Sequence, residues 1–361
     1  MGTMSESMVY KGLKETFESS PEEEIEDYKK VKWIIFSDLH KGQGDGADDF
    51  KVCKPAYHAA LGYYLAAGYT LILLGDVEEF WESFPKKVFK EYQDTFELEK
   101  KFTNVNGEER YLRIWGNHDD LWRWKRNVNK YGKKLMGESK ALDEGKKFII
   151  NYKGKKIVIF LAHGHQGTLE SDRFRKLSRF IVRVIWRNFQ RITRIPSTTP
   201  AKDFKLKKEH ERVMYSWVKK DMKDTNMVFI CGHTHRPVFI SEAHEDDIIS
   251  KINEKNKELQ EAKDEEQKKL IQEKIYNLYA ELEWVKSKSN SETSGMPGTP
   301  LPCFFNTGCC SFGDGDITGL EIADGEIRLV RWPDDNGNPK KKTIRTLELD
   351  KIFNDLLERN S

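Results

Sequence analysis

The chain has 361 residues, of which 38% are hydrophobic, 12% aromatic and 33% charged, a globular composition too rich in aromatics for a disordered polymer. Lys and Arg number 61 against 59 Asp and Glu, a net charge of +2, so any preference for polyanions must come from local clustering. No apolar run approaches the roughly 18 residues of a membrane-spanning helix. The five cysteines (Cys53, Cys231, Cys303, Cys309, Cys310) form no CxxC pair, which excludes a disulfide framework and a zinc-thiolate site.

Residues 1–30 are polar, lack an apolar leader core, and end in the acidic run PEEEIEDYKK. They read as a loosely attached arm, and the expected compartment is the cytosol, or a membrane surface reached from it. From Val31 onward short apolar runs alternate with helical patterns, the mark of an α/β fold. Five of these runs end in polar clusters. VKWIIF precedes SDLH, YTLILL precedes GDVEEFW, RYLRIW precedes GNHD, KKIVIFL precedes AHGH and NMVFI precedes CGHTH. Each reads as a buried strand whose C-terminal end carries Asp, Asn or His, the edge where open α/β sheets bind ligands.

Those ends supply Asp38, His40, Asp76, Asn117, His163, His233 and His235. All are nitrogen or oxygen donors, which suits Mn, Fe, Zn or Mg rather than a soft metal. Seven are too many for one tetrahedral ion. They suit two adjacent metals sharing a carboxylate, an arrangement that can clamp the attacking and leaving oxygens of a phosphoryl centre.

DLH, GDxxE, GNHD, HGH and GHTH, in that order, resemble the calcineurin-like (class III) metallophosphoesterase superfamily over about Lys32 to Phe312. The resemblance implies a sandwich of two mixed β-sheets flanked by helices, and a phosphodiester or pyrophosphate bond cut by a metal-bridging hydroxide. It further implies one metal on Asp38, His40 and His235, the other on Asn117, His163 and His233, with Asp76 bridging and Mn the first candidate. His118 would contact the phosphate and assist the leaving group, with Asp119 orienting its ring. Asp76, Glu79, Trp81 and GHTHRP are most similar to the UDP-2,3-diacylglucosamine hydrolase group. That group carries Arg where His118 stands and Asp where His165 stands. Residues 31–335 would form the phosphoesterase domain and 336–361 a loop and amphipathic helix.

Glu79 reads as a partner for backbone or a basic residue rather than a ligand, and His165 as either a near neighbour of the metals or a turn residue. Cys231 reads as a small buried apolar residue. His58, His210 and His244 have no motif around them and read as surface residues. ADGE, residues 323–326, reads as a hairpin turn.

Two inserts complete the reading. Residues 168–222 form a helical cap, in which 172–194 carry eight Lys or Arg against one Asp, with arginines every fourth position from Arg175. Arg175, Arg179 and Arg183 are the candidate substrate contacts, and the 171–195 helix could meet substrate phosphate, nucleic acid or an anionic membrane surface. Residues 246–298 form a charged insert. Within it, Ile271, Ile275, Leu278, Leu282 and Val285 face Ile249, Ile252 and Leu259 across a helical hairpin over 248–286, either a spacer or an element for self-association or docking. A metal-dependent nuclease is the second enzymatic reading. A phosphoesterase-fold scaffold is the third, disfavoured because no ligand position is missing.

Overall fold

The computed structural model describes residues 6–132, 141–167 and 200–359, except residue 106, 240–241, 335–336 and 262–301. Within the last range only Lys268, Ile271, Gln272, Ile275, Leu278 and Leu282 are described, all helical. All five motif-bearing strands form: β2 (Lys32–Phe36), β3 (Thr70–Leu74), β4 (Tyr111–Ile114), β6 (Lys155–Ala162) and β7 (Met227–Cys231).

They divide between two mixed sheets. In the first, β2, β3 and β4 run parallel, and β2 pairs antiparallel with β11 (Ile317–Ala323). That sheet continues through β12 (Glu326–Trp332) to β13 (Lys342–Glu348). The second runs β1-β5-β6-β7-β10-β8-β9, where β1 is Glu22–Ile25, β5 Gly145–Tyr152, β8 Pro237–Phe239, β9 Glu242–Ala243 and β10 Phe304–Thr307. The β11–β12 turn has Asp324 at φ 56° and Gly325 at φ 77°, the left-handed pair a two-residue hairpin demands.

Strand alternation explains the core. In β2, Trp33 and Ile35 join the apolar cluster between the sheets, while Ile34 and Phe36 join a second cluster on the other face. β3 splits likewise, Ile72 and Leu74 against Leu71 and Leu73. The second cluster is closed by helices α2 (Phe50–Ala66), α3 (Pro85–Glu91) and α4 (Gln93–Lys100) through Tyr57, Tyr64, Val88 and Phe96. The first is closed by Met214 and Trp217 of α5 (Pro200–Lys220), and by Ile352 and Phe353 of α7 (Leu349–Glu358).

Three expectations need correction. The N-terminal segment is not loosely attached. Helix α1 (Glu6–Ser19) buries Val9 and Leu13 in the inter-sheet cluster, and β1 pairs in parallel with β5. A Cβ on Gly12 would lie 2.7 Å from the Gly167 nitrogen, so the helix sits directly on the chain that follows HGH. The tail after residue 336 is not simply loop and helix, because β13 intervenes as an edge strand. His210 is buried, not on the surface, and His58 is half-buried against Thr95 Oγ1 at 2.7 Å.

In the charged insert, α6 (His244–Glu261) is helical, and Ile252 packs with Leu282, flanked by Ile249 and Leu278. The cap arginines Arg175, Arg179 and Arg183 lie outside the described residues, as does the His244 side chain. Among the described residues no helix is long and apolar enough to cross a membrane.

Candidate metal centre

The strand ends converge because their loops are laced to one another. Asp38 N–H donates to Gly75 O at 3.1 Å, His40 N–H to Asp76 O at 2.9 Å and Gly232 N–H to His163 O at 2.9 Å. His233 N–H donates to Asp38 Oδ2 at 2.9 Å, tying the second sheet to the first. Asp38, His40, Asp76, His233 and His235 all have φ between 49° and 69°. A non-glycine residue in that region is strained, and five in one place mark a constellation held by its surroundings.

Glycine precedes ligands for a steric reason. A Cβ on Gly116 would lie 2.3 Å from Asp76 Oδ1, and one on Gly232 would lie 2.5 Å from Asp38 Oδ2. Only a bare backbone lets these loops close so tightly.

Among the described residues three groups of side chains could each hold an ion: Asp38, His40 and His235; Asp76, His163 and His233; and His40, Glu79 and His118, the last held together by the Glu79 carboxylate between the two rings. His40 Nε2 and His235 Nε2 face each other at 3.1 Å, and His235 Nε2 is 3.3 Å from Asp38 Oδ1. Asp76 Oδ2 is 3.0 Å from His163 Nε2, and its other oxygen accepts the His118 N–H at 2.8 Å. Asp38 Oδ1, both amide atoms of Asn117 and His163 Nε2 are buried without a hydrogen bond. Orphaned buried polar atoms are rare, and three of these, Asp38 Oδ1, Asn117 Oδ1 and His163 Nε2, are atoms that cations would satisfy.

The electrostatics agree. Burial pulls the His163 imidazole down, yet the carboxylates of Asp76 and Asp38 outweigh it and lift the group to about 9. The pocket therefore demands positive charge. His235 is lowered to about 4 by burial and by Lys207, and His233 well below its usual range by burial, His163 and His210, which keeps both rings neutral as ligands must be.

His118 is partly exposed, its ring stacked on Trp81 at 4.8 Å and 20°. Its orientation comes from Glu79, not from Asp119 as expected. Glu79 Oε2 accepts from His118 Nδ1 at 2.6 Å and from His40 Nδ1 at 2.9 Å. Burial pushes the Glu79 carboxyl up, but His118 and His40 dominate and hold it below the usual carboxylate range. Asp119 instead spends its oxygens on backbone, accepting Gly116 N–H at 2.6 Å and Val77 N–H at 2.9 Å. Its role is to clamp the GNHD and GDVEE loops together. The signal for Glu79 was present in its spacing, three residues past Asp76 on the same loop.

Helix α5 braces the other side. His210 Nε2 lies 2.6 Å from Gly164 O and its ring meets His233 edge-on at 5.3 Å, while Glu211 accepts from Thr234 Oγ1 at 2.6 Å and Arg236 Nη1 at 2.9 Å. His165 is buried beside Trp115, with ring centroids 5.3 Å apart, and 3.6 Å from a Glu144 oxygen. Cys231 is fully buried, and Asn306 Nδ2 reaches its sulfur at 3.5 Å.

Comparison with known proteins adds one match. A family model described as calcineurin-like phosphoesterase fits residues 31–260, more than half of the chain. No curated protein matches it.

Proposed function

Because the chain belongs to the calcineurin-like phosphoesterase family of metal-dependent hydrolases, we propose that it is a two-metal phosphoesterase acting on a phosphodiester or pyrophosphate bond. The observation that carries this reading is the pair of adjoining ligand groups around Asp38 and Asp76. Asp38, His40 and His235 would hold one ion, Asn117, His163 and His233 the other, and Asp76 would lie between them. Two divalent ions, Mn first among candidates, would supply Lewis acidity at the phosphoryl oxygens and an activated water.

The chain's own part centres on His118. With Nδ1 tied to the Glu79 carboxylate, its Nε2 is the nitrogen that would move a proton to the leaving oxygen. The charged Glu79 stabilises the imidazolium form, and the stacked Trp81 fixes the ring plane. Arg175, Arg179 and Arg183 of the 168–222 cap are proposed to select an anionic substrate, with the UDP-2,3-diacylglucosamine hydrolases as the nearest subgroup by motif. The 246–298 insert has no part in this chemistry.

Metal analysis and a hydrolysis screen with Mn test the proposal, using bis-p-nitrophenyl phosphate, p-nitrophenyl phosphate and a nucleotide-diphosphate lipid. Two metals per chain and diester or pyrophosphate cleavage are expected. His118→Ala should keep both metals while turnover falls by about 10²- to 10⁴-fold. A single bound metal, or loss of metal in His118→Ala, would overturn the assignment.

A further inference from the structure

Residues 121–132 (LWRWKRNVNKYG) contain Arg123, Lys125, Arg126 and Lys130 and no acid. Among the described residues none of the four forms an ion pair. The Arg123 guanidinium lies 4.7 Å from the Trp124 ring and 5.7 Å from the Trp115 ring, which places the cation between two indoles. Trp115 immediately precedes Gly116 and Asn117, and its ring meets His165, whose ring is 5.5 Å from that of His163. A run of ring contacts through Trp115 and His165 therefore connects the cation to the metal centre. Trp124 is 55% exposed, the most exposed of the large apolar side chains described.

We propose that Arg123 and Trp124 form a subsite for a nucleotide unit, the base lying on the exposed indole and the adjoining phosphate meeting the guanidinium. The inference rests on the phosphoesterase reading for the role of the subsite, but its binding chemistry stands by itself. A guanidinium held by indoles keeps its plane and its charge, and so presents a fixed fork to a phosphate. An indole accepts any base on its face, so the subsite recognises the class of ligand rather than one base. A lipid surface fits less well. Trp122 and Val128 are buried and Leu121 is half-buried, leaving one exposed apolar side chain in the stretch, too little area to enter an interface.

Calorimetric titration of the full-length protein with AMP, UMP, ribose 5-phosphate and inorganic phosphate tests this. AMP and UMP should bind alike, and about tenfold more tightly than ribose 5-phosphate. Trp124→Ala should erase that advantage and Trp124→Phe restore most of it. Arg123→Gln should weaken all the organic phosphates while the base advantage persists. A short oligonucleotide run beside AMP shows whether the unit comes from a strand or a free nucleotide, and tighter binding of either supports the subsite. Equal binding of AMP and ribose 5-phosphate, or an advantage that survives Trp124→Ala, overturns it. So does binding to phosphatidylglycerol vesicles that is lost in both variants while nucleotide affinity holds. Hydrolysis of methyl p-nitrophenyl phosphate by the unaltered protein is the separate readout: its absence defeats the phosphoesterase reading without moving the binding ratios.

Discussion

The two walls of the metal centre are braced by opposite means. Behind the motifs on β2, β3 and β4 lies a cluster of buried charges. Lys41 Nζ donates to both Glu99 oxygens at 2.9 and 3.1 Å and lies 3.4 Å from Glu78 Oε1. Arg113 donates to Glu78 and, at 3.3 Å, to Asp119 Oδ2. Tyr57 and Trp122 donate to Glu99 and Glu78 at 3.0 and 2.7 Å. Behind the motifs on β6 and β7 the bracing is mostly neutral. Asn306 Nδ2 donates to Gly232 O at 2.6 Å and to Thr234 Oγ1 at 3.1 Å, and Ser37 and Thr307 share a 2.6 Å hydroxyl contact. Glu211 and Arg236 form an ion pair there, with 13% of the arginine side chain exposed. The comparison teaches that the first wall is rigid and intolerant, since each of its charges depends on a buried partner, while the second can lose a contact and relax.

Asp76 is where the walls meet, so its loss should break the contrast altogether. One of its oxygens serves the His118 backbone and the other faces His163. Asp76→Ala is expected to lose at least one metal and to bring hydrolysis below detection, as measured by metal content and turnover together. Retention of both metals would mean that the walls position their ions independently.

Arg113→Ala comes next. It leaves the buried Glu78 to Lys41 and Trp122 and removes one partner of Asp119, whose carboxyl burial lifts to about 7 despite the arginine. The expected cost is about 3–5 kcal/mol in denaturant unfolding, the range for breaking a buried pair from one side. A loss near zero would show that water reaches this cluster and that the first wall is no more rigid than the second.

Which parts of this were legible beforehand follows from what each feature leaves in one dimension. The five motif strands could be read because unbroken apolar runs closed by Asp, Asn and His have few other meanings. The N-terminal helix leaves an equally legible trace, since Val9, Leu13 and Phe17 recur every fourth residue among the polar ones. Strand β13 (KTIRTLE) buries no side chain, so it carries no strong alternation to find. The buried charges could not be read at all. Lys41, Glu78, Glu99 and Arg113 look like surface residues until folding places them together, and the burial of His210 depends on where α5 comes to rest against Gly164.

On the second wall, Asn306→Ala removes the amide that ties β10 to the GHTH loop, leaving Gly232 O and Thr234 Oγ1 short of a donor. The expected loss is about 1–3 kcal/mol, read from thermal or denaturant unfolding, the penalty for an unsatisfied buried group without charge. A loss as large as that of Arg113→Ala would erase the distinction between the walls.

Glu211→Gln should have the smallest effect. The two donors use different carboxylate oxygens; the amide oxygen can still accept from Arg236 while the amide nitrogen donates to Thr234 Oγ1, so the side chain keeps its place and the charge is removed. Arg236 keeps 13% of its side chain exposed, enough for its guanidinium to reach water, whereas Glu78 is fully buried. The expected change in stability is about 1 kcal/mol or less, with metal content unaltered, since His233 and His235 keep the loop that carries them. If Glu211→Gln instead released metal, α5 would be an electrostatic component of the site rather than a mechanical brace, and the second wall would depend on charge as the first does.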